Sequence, residues 1–572
     1  MPLKAHKITK TEDAVPENYF DRLDKSFQAH LGQATSGISP ASMMTMYCSW
    51  LTQLAQSPGR MLELALYPAM HWQDSVFDNN RSGGIVDPRF KSESWQQFPW
   101  RLWADGFCQA EDWWQRATIN VPGLPKPVER TTSFIARQML DMISPSNFTT
   151  TSPDLFYETM RTGGHNLVHG AESALDDIRQ KATNAPPPGL ENFVVGKNMA
   201  VTLGRVVFRN HLIELIQYEP QTKTVYKEPI LMLPAWIMKY YILDLSANNS
   251  LVNWLVGQGH TVFMVSWRNP DAADRNLGMD DYYRMGAMAA IDAISAIMPK
   301  AGIHLMGYCL GGTLSLIATA AMAGDGDKRI KSLTTLAAQG DFTEAGELLL
   351  FITESEVSFL KSMMWEKGYL DGKQMEGTFQ SLHSRDLLWS RMVHDYMMDK
   401  RRDPIDLIAW DADATRMPYK MHSEYLEKLF LHNDFFEGRF AIEGKRVSPE
   451  SINLPIFSVG TDKDHVAPWR SVHKIHLMTD GDVTFVLTSG GHNAGIVSEP
   501  GHKGRSYYIH ERAHGAPYLD PDRWLEVAQQ KEGSWWPAWH DWLVQRSAKE
   551  KVSPPLMSKG LCAAPGTYVL QK

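Results

Sequence analysis

The sequence predicts an α/β protein in which helices cover both faces of a mostly parallel sheet. Between residues 200 and 337, short apolar runs typical of strands alternate with stretches of helical periodicity. Residues Ile303–Thr313 read as a strand, a sharp turn and the start of a helix near Gly312. Two further apolar runs, Ile456–Val459 and Val483–Leu487, follow a long interruption. Alternating strands and helices favour parallel strands joined by crossover helices.

The elements of this sheet region follow from residue type and period. Runs rich in β-branched and aromatic residues predict strands, and apolar residues at helical spacing predict helices. The expected strands are Ala200–Thr202, Val206–Phe208, Leu212–Tyr218, Ile230–Leu233, His260–Ser266 and Leu333–Ala337. The expected helices are Tyr240–Gly257 and Asp280–Ile297.

Two domains are expected, a helical N-terminal domain at 1–190 and a catalytic domain at 191–572. Residues 1–30 are polar and expected to be loose, whereas residues 38–185 have a helical pattern with many tryptophans. The run Ala185–Gly189, with three consecutive prolines before its glycine, ends that pattern and marks the boundary.

A helical insertion interrupts the predicted sheet between about residues 341 and 445. The strand signal vanishes there, and the segment is rich in methionine and aromatic residues. Long insertions of this kind are commonly functional. We expect it to form a cap; a helical layer that completes the core is the alternative.

Composition excludes several classes of protein. The formal net charge of −8 and the lack of a long basic block argue against nucleic-acid binding. Four widely spaced cysteines favour a reducing cytoplasm over a disulfide framework. No apolar run approaches the ~18 residues of a membrane span, and the first residues lack the apolar core of a secretory signal.

The turn Gly307-Tyr-Cys-Leu-Gly311 has the pattern of a nucleophile elbow with cysteine at its centre. Such a turn holds its nucleophile in a strained conformation, and side chains two residues away would crowd it, so both positions are glycine. The following helix N-terminus favours a thiolate. The motif predicts an α/β-hydrolase fold with Cys309 as nucleophile; a buried structural cysteine is the alternative.

The remaining members of a catalytic triad are expected after the last two parallel strands, in the order nucleophile, acid, histidine. The loop after Ile456–Val459 offers Asp462 and Asp464, of which Asp464 is preferred. The loop after the next strand carries His492 among small residues. His492 would take the thiol proton, and Asp464 would orient the imidazole.

Several neighbours are candidates for oxyanion and substrate contacts. The amide of Leu310 would supply one oxyanion donor. A second should come from the loop after Ile230–Leu233, with Trp236 and Ile237 as candidates. His465 either assists proton transfer or caps a turn.

Other histidines and cations give weaker signals. His473 and His476 are spaced for one helix face and are expected on a solvated surface. Lys239, Arg268 and the pair Arg401–Arg402 are conceivable phosphate contacts, although solvated surface is the favoured role for each.

Taken together, these motifs resemble the polyhydroxyalkanoate synthases, enzymes that polymerise (R)-3-hydroxyacyl-CoA into storage polyester. The resemblance covers nearly the whole chain. Its marks are Ser144–Phe148, Asn198–Thr202, Lys239–Leu245, Gly259–Pro270, Gly307–Gly312, Asp406–Trp410 and Asp464–Trp469. By this resemblance Cys309, Asp464 and His492 match the family's catalytic cysteine, aspartate and histidine. Trp410, Tyr425 and Asn433 lie in family-like surroundings.

The resemblance implies a substrate, partners and a location. The expected substrate is (R)-3-hydroxyacyl-CoA, with 3-hydroxybutyryl-CoA favoured, and CoA is the leaving group, so no separate cofactor is expected. The enzyme should be a cytoplasmic homodimer associated with the surface of polyester granules. Its N-terminal aromatic helices either contact the granule or pack their own core. The stretch Pro234–Lys239 departs from the family pattern, which leaves the preferred chain length in doubt; three to five carbons are favoured.

Two other functions remain open at this stage. A thioesterase or polyester depolymerase with a thiol nucleophile would share the triad and differ in using water as acceptor. A granule-coating protein without activity would not need the intact set of cysteine, aspartate and histidine. Fold alone does not decide among these, because this fold serves many chemistries.

Overall fold

A single large sheet lies at the centre of the computed structural model, which describes residues 18–35, 37–76, 87–183, 185, 187–372, 389–401, 403–557 and 560–572. The strands are β1 (Gly204–Arg209), β2 (Ile213–Tyr218), β3 (Ile230–Leu233), β4 (Val262–Trp267), β5 (Ile303–Tyr308), β6 (Ile330–Leu336), β7 (Tyr369–Leu370), β8 (Met417–Pro418), β9 (Ala441–Ile442), β10 (Lys445–Arg446), β11 (Ile456–Thr461), β12 (Val483–Thr488), β13 (Ser506–Arg512), β14 (Gln529–Glu532) and β15 (Cys562–Ala563).

Eleven of the described strands form the sheet, in the order β14-β13-β12-β11-β6-β5-β3-β4-β2-β1-β15. The six from β12 to β4 are parallel to one another, and the outer strands on both sides run antiparallel. Every residue of β3, β4, β5, β11 and β12 is buried, because helices cover both faces of the parallel region. The predicted α/β class is confirmed.

In the described part of the chain, seven α-helices precede the sheet. They are α1 (Tyr19–Ala34), α2 (Pro40–Ala55), α3 (Pro58–Val76), α4 (Trp100–Thr118), α5 (Lys126–Met142), α6 (Pro153–Arg161) and α7 (His165–Thr183). The helical character expected for the N-terminal region is therefore present. The boundary proposed at Ala185–Gly189 falls between α7 and β1, and it stays a prediction.

Further helices lie between and after the strands. They are α8 (Leu251–Gly257), α9 (Met279–Asp281), α10 (Ala289–Ile297), α11 (Leu310–Gly324), α12 (Glu354–Lys367), α13 (Asp406–Asp411), α14 (Tyr419–Glu424), α15 (Trp469–His473), α16 (Pro521–Val527) and α17 (Trp536–Arg546). A π-helical segment, Tyr282–Met288, joins α9 to α10. A second π-helical segment, Tyr425–Leu431, continues α14.

The N-terminal helices pack on the segment between β6 and β11. The amide of Ser39, the N-cap of α2, donates to both carboxylate oxygens of buried Glu356 in α12. Gly170 in α7 lies so close to the backbone of Tyr396 that a Cβ would come within 1.5 Å of its carbonyl oxygen. These contacts tie the two helical regions together at points where no larger residue fits.

Several elements differ from the expectation. Residues 19–30 belong to α1 and are not loose; residues 1–17 lie outside the described part. The helix expected over 240–257 is interrupted, because only a short 3₁₀ turn at Tyr240–Leu243 precedes α8. The segment expected to be helical over 341–445 contains an antiparallel pair of short strands, β7 and β8, and the first strand of a small hairpin, β9–β10. The antiparallel strands β13, β14 and β15 were not expected, since their residues are partly exposed and carry little apolar signal.

His473 and His476 are buried, so the expectation of a solvated surface is wrong. They lie 0% and 4% exposed, with ring centroids 4.6 Å apart, against the aromatic rings of Phe485 and Trp524. None of their four ring nitrogens has a hydrogen-bond partner in the described part of the chain. Burial lowers the pKa of His473 to about 4 and that of His476 to about 2.

Replacing His473 by phenylalanine should make the protein less sensitive to acid. The folded pKa of about 4 lies below the unfolded value of about 6.5. The stability that depends on neutral His473 is therefore complete above about pH 6.5 and is lost as the pH falls towards 4. At pH 5 this loss is about 2 kcal/mol. Urea unfolding at pH 7.5 and pH 5 measures it in wild type and His473→Phe.

His502→Phe is the control, because His502 is a partly exposed histidine beside Glu499. It should retain the acid sensitivity of the wild type. Equal loss of stability in all three proteins between the two pH values would contradict a buried neutral His473.

Candidate active site

Cys309 stands at the turn between β5 and α11 in a backbone conformation that few residues adopt. Its φ is +53° and its ψ is −124°, outside the regions that non-glycine residues favour. Its amide donates to the carbonyl oxygen of Leu336 at the end of β6, 2.8 Å away. The neighbouring strand therefore holds the strained turn in place.

Close packing requires the glycines around Cys309. A Cβ on Gly307 would lie 2.4 Å from the carbonyl oxygen of Gly311, and one on Gly311 would lie 2.0 Å from that of Leu233. A Cβ on Gly312 would lie 2.3 Å from the Cβ of Ala338. The elbow thus presses directly against the end of β3, where the expected oxyanion loop begins.

His492 and Asp464 meet beside the elbow. His492 Nδ1 lies 2.7 Å from Asp464 Oδ2, which also accepts from the Thr461 hydroxyl at 2.9 Å. The other oxygen, Oδ1, accepts from the amides of Val466 and Ala467. Burial favours a raised pKa for Asp464, but His492 and these donors hold its pKa below the ordinary value. Asp464 is therefore an anion that orients the imidazole.

The other ring nitrogen of His492, Nε2, is buried. Nε2 has no hydrogen bond of good geometry to any described residue. Burial lowers the pKa of His492, but the charges of Asp464 and of the Cys309 thiolate raise it well above the ordinary value. The histidine is thus placed to form an ion pair with the thiolate.

Asp462, the other acid considered, has a different partner. Its Oδ1 accepts from the amide of Gly490 at 2.7 Å, and the amide of Lys463 donates to the carbonyl oxygen of Gly490. Asp462 therefore ties the loop after β11 to the loop after β12, and it does not contact the imidazole.

Sequence reasoning missed the residues that hold the histidine loop. The Tyr308 ring lies 5.7 Å from that of His492, and its hydroxyl donates to the side-chain oxygen of Asn493. The indoles of Trp535 and Trp536 donate to the carbonyl oxygens at 495 and 496. Tyr308 and Asn493 are next to Cys309 and His492 in the sequence, and this position is the one signal that could have suggested them. Trp535 and Trp536 lie far from the candidate triad in the sequence, which gave no such signal.

The candidates for oxyanion and substrate contacts lie at the start of α11, in the loop after β3 and in the acid loop. Leu310 is the first residue of α11, so its amide is at the helix N-terminus next to Cys309. Trp236 is buried and Ile237 half-buried in the loop after β3. His465 is exposed and lines a cavity of about 460 Å³ between the acid loop and α5, together with Arg130 and Arg137.

The cations considered as phosphate contacts have other partners. Lys239 is buried, contrary to expectation, and its Nζ donates to the carbonyl oxygen of Gln571 at 2.6 Å. Burial lowers its pKa to about 8. Arg268 is paired with Asp271 and Asp274, and Arg401 with Asp177. Arg402 lies outside the described residues.

One group of three possible metal ligands occurs among the described residues, away from the elbow. Asp87, Cys108 and Glu111 offer ligand atoms within 4.8 Å of one another. The guanidinium of Arg89 lies 2.5 Å from both carboxylates. The acids thus already have a cation between them, and we interpret the group as an ion-pair cluster.

Comparison with known proteins identifies the family. Family models for the N-terminus of poly-beta-hydroxybutyrate polymerase match residues 86–255 and 18–60, and a model of the alpha/beta hydrolase fold matches residues 228–497. A poly(3-hydroxyalkanoate) polymerase of Methylorubrum extorquens is 35% identical over 99% of this chain and 90% of its own length. The chain belongs to the poly(3-hydroxyalkanoate) polymerase family. It is accordingly an acyltransferase of the polyhydroxyalkanoate synthase class.

Two further similarities were found. The poly(3-hydroxyalkanoate) polymerase subunit of Rhizobium meliloti is 36% identical over 84% of this chain and 79% of its own length. A soluble variant of monoglyceride lipase from Saccharomyces cerevisiae is 11% identical, with a TM-score of 0.35 over 64% of this chain and all of the lipase. The predicted α/β-hydrolase fold of this polymerase family member is confirmed by the family model and the sheet order. No described helix has the length and apolarity to traverse a bilayer.

Gly311→Ala should disrupt the elbow. The added methyl would meet the Leu233 carbonyl oxygen at 2.0 Å, and neither backbone segment can yield. Overpacking of this kind costs about 1–3 kcal/mol or more and would displace Cys309. Thermal melting and polymerase activity measure the two effects. Gly324→Ala is the control, since Gly324 ends the same helix with open space around it. Wild-type melting and activity in Gly311→Ala would contradict the close contact.

Proposed function

We propose that this chain polymerises (R)-3-hydroxyacyl-CoA into polyhydroxyalkanoate with release of CoA, through a thioester on Cys309. The observation that carries the proposal is the hydrogen bond between Asp464 and His492 beside a cysteine elbow. Family membership supports the overall reaction, and the chemistry of these side chains supports the covalent route. Favoured substrates are short acyl chains, 3-hydroxybutyryl-CoA among them.

The first half-reaction would transfer the acyl group to the enzyme. His492 accepts the thiol proton of Cys309, and the thiolate attacks the thioester carbonyl carbon. The amide of Leu310, with a second amide from the loop at Trp236 and Ile237, stabilises the oxyanion. The carbon–sulfur bond to CoA then breaks, and His492 returns its proton to the leaving CoA thiolate. One thioester replaces another, so the acyl group stays activated.

The second half-reaction would lengthen the polyester. His492 removes the proton from the 3-hydroxyl of another hydroxyacyl group, whose oxygen attacks the acyl carbon on Cys309. An ester bond forms as the bond to Cys309 breaks, and the proton returns to the cysteine. Asp464 stabilises the imidazolium in both halves.

Exclusion of water would separate polymerisation from hydrolysis. Cys309 is only 8% exposed, the buried Tyr425 lies within reach of its charge, and the buried Trp236 ring packs against that of Tyr425. Tyr425 comes from the segment expected to act as a cap. A dry site keeps the acyl-enzyme from hydrolysis, whereas a thioesterase or depolymerase has to admit water.

The exposed apolar side chains of the N-terminal helices support contact with a polyester surface. In α1, Tyr19 is 74% exposed and Phe20 and Phe27 are each 67% exposed. Apolar exposure on this scale is unusual unless a surface or partner covers it. We propose that this face adjoins the granule in the cytoplasm. The homodimer expected from the family resemblance stays a prediction.

Cys309→Ala should abolish the release of CoA from (R)-3-hydroxybutyryl-CoA and the formation of polyester. Without the sulfur no acyl-enzyme forms. Liquid chromatography measures CoA, and size-exclusion chromatography measures the polymer. Cys48→Ala, at an exposed cysteine of α2, should keep both activities. Free 3-hydroxybutyrate as the product of the wild type would favour the thioesterase, and no turnover of any C4–C12 substrate would favour a non-catalytic granule protein.

Asp464→Asn should slow CoA release by about 10³–10⁴-fold and shift its pH dependence to lower pH. The Asp464 charge helps to raise the pKa of His492, so its removal lowers that pKa. Rapid-quench measurements of CoA release between pH 5 and 9 test both effects. Asp462→Asn retains an acceptor for the Gly490 amide and should leave the pH profile unchanged. An equal loss in both variants would assign the effect to loop structure.

A further inference from the structure

Trp236 carries a buried hydrogen-bond donor with no acceptor. It stands in the loop after β3, whose backbone is pressed against the elbow at Gly311. The indole is 2% exposed, and its Nε1 has no partner among the described residues. A neighbouring indole differs, since Trp267 Nε1 donates to the carbonyl oxygen of Pro234 at 2.8 Å.

Tyr425 supplies a second donor on the other side of the same space. Its ring meets that of Trp236 edge to face, with centroids 6.1 Å apart and planes at 90°. Its hydroxyl forms no hydrogen bond to another described residue, and, unlike Trp236 Nε1, it is not among the fully buried polar atoms, although the residue is only 8% exposed. Burial and then the Cys309 thiolate charge raise its pKa well above the ordinary value, so the hydroxyl stays protonated and within electrostatic reach of the sulfur.

Unpaired buried donors are unfavourable and are satisfied wherever the fold permits. Other donors of this kind occur away from the elbow, including Trp524 Nε1 and the Tyr240 hydroxyl. The pair formed by Trp236 and Tyr425 differs from these because the two rings come from separate segments and pack on each other, and Tyr425 lies within electrostatic reach of Cys309. An acceptor that arrives with the acyl group would satisfy both at once.

We propose that Trp236 Nε1 and the Tyr425 hydroxyl bind the oxygen on C3 of the acyl group at Cys309. The proposal rests on the function proposed above. The oxygen on C3 is a hydroxyl in a single monomer and an ester oxygen in a growing chain, and it accepts hydrogen bonds in both. The carbonyl oxygen, two carbons nearer the sulfur, would occupy the separate oxyanion site at the Leu310 amide.

This arrangement would make the two residues determinants of specificity. An acyl group without an oxygen on C3 would leave both donors unpaired and would be disfavoured. Trp236 would also limit the space beside C3, because its ring is packed between Tyr282 and Tyr425. The substrate class selected is the 3-oxygenated acyl thioester.

The test compares single-turnover CoA release from (R)-3-hydroxybutyryl-CoA and from butyryl-CoA, which lacks the oxygen on C3. Trp236→Phe and Tyr425→Phe each remove one donor and keep an aromatic ring. Each should reduce the preference for the hydroxylated substrate by about tenfold, chiefly through slower acylation by that substrate. Trp524→Phe and Tyr240→Phe remove equally buried, unpaired donors elsewhere and should keep the wild-type preference.

The outcomes separate this proposal from the proposed function. If wild type releases CoA, Cys309→Ala does not, and both ring variants keep the wild-type preference, the donors do not bind the C3 oxygen. If wild type releases no CoA from either thioester, both proposals fail. Melting temperatures and near-ultraviolet circular dichroism check the folding of each variant. Should Trp236→Phe not fold, the isosteric Tyr425→Phe decides by itself.

Discussion

The contact between the cysteine elbow and the end of β3 is the constraint on which the rest of the site depends. Gly311 lies against the Leu233 carbonyl oxygen with no room for a side chain, while β6 holds the Cys309 amide. These contacts force the cysteine into a strained conformation at the N-terminus of α11. They also bring the loop with Trp236 next to the nucleophile. One close approach therefore positions Cys309 and the two backbone segments from which the oxyanion and acyl contacts are proposed to come.

The imidazole of His492 is held from two further loops that the parallel sheet brings to the same edge. Asp464 fixes one ring nitrogen, and hydrogen bonds from the loop after β11 fix Asp464 in turn. Asp462 ties that loop to the one that carries His492. Trp535, just before α17, and Trp536, its first residue, donate hydrogen bonds to the backbone carbonyl oxygens of residues 495 and 496, which follow His492 in the chain. The imidazole is thus held at Nδ1, whereas the buried Nε2 has no partner of good hydrogen-bond geometry among the described residues, as the proposed proton transfer with Cys309 requires.

The N-terminal helices pack against the helical segment between β6 and β11, and this packing links them to the site. The segment between β6 and β11 supplies Tyr425, and its α12 accepts hydrogen bonds from the N-cap residue of α2. Its π-helical turn at Met392–Met397 lies against α7 at Gly170. A movement of the N-terminal helices would therefore be transmitted to the segment that carries Tyr425. This coupling gives a physical reason for the proposed granule-contacting face and the proposed dry site to occur in one chain.

The sequence by itself determined the α/β class and the elbow motif, and it predicted the order of nucleophile, acid and histidine. These follow from short-range patterns: apolar runs at strand spacing, glycines two residues either side of Cys309, and polar residues directly after two strands. Tertiary structure alone decided the partner of Asp462, the burial of His473, His476 and Lys239, and the antiparallel strands β13–β15. It also brought Trp236 to Tyr425, 189 residues apart in sequence, from opposite sides of the elbow. Such contacts depend on which surfaces meet after the chain collapses, and local residue patterns carry no record of that.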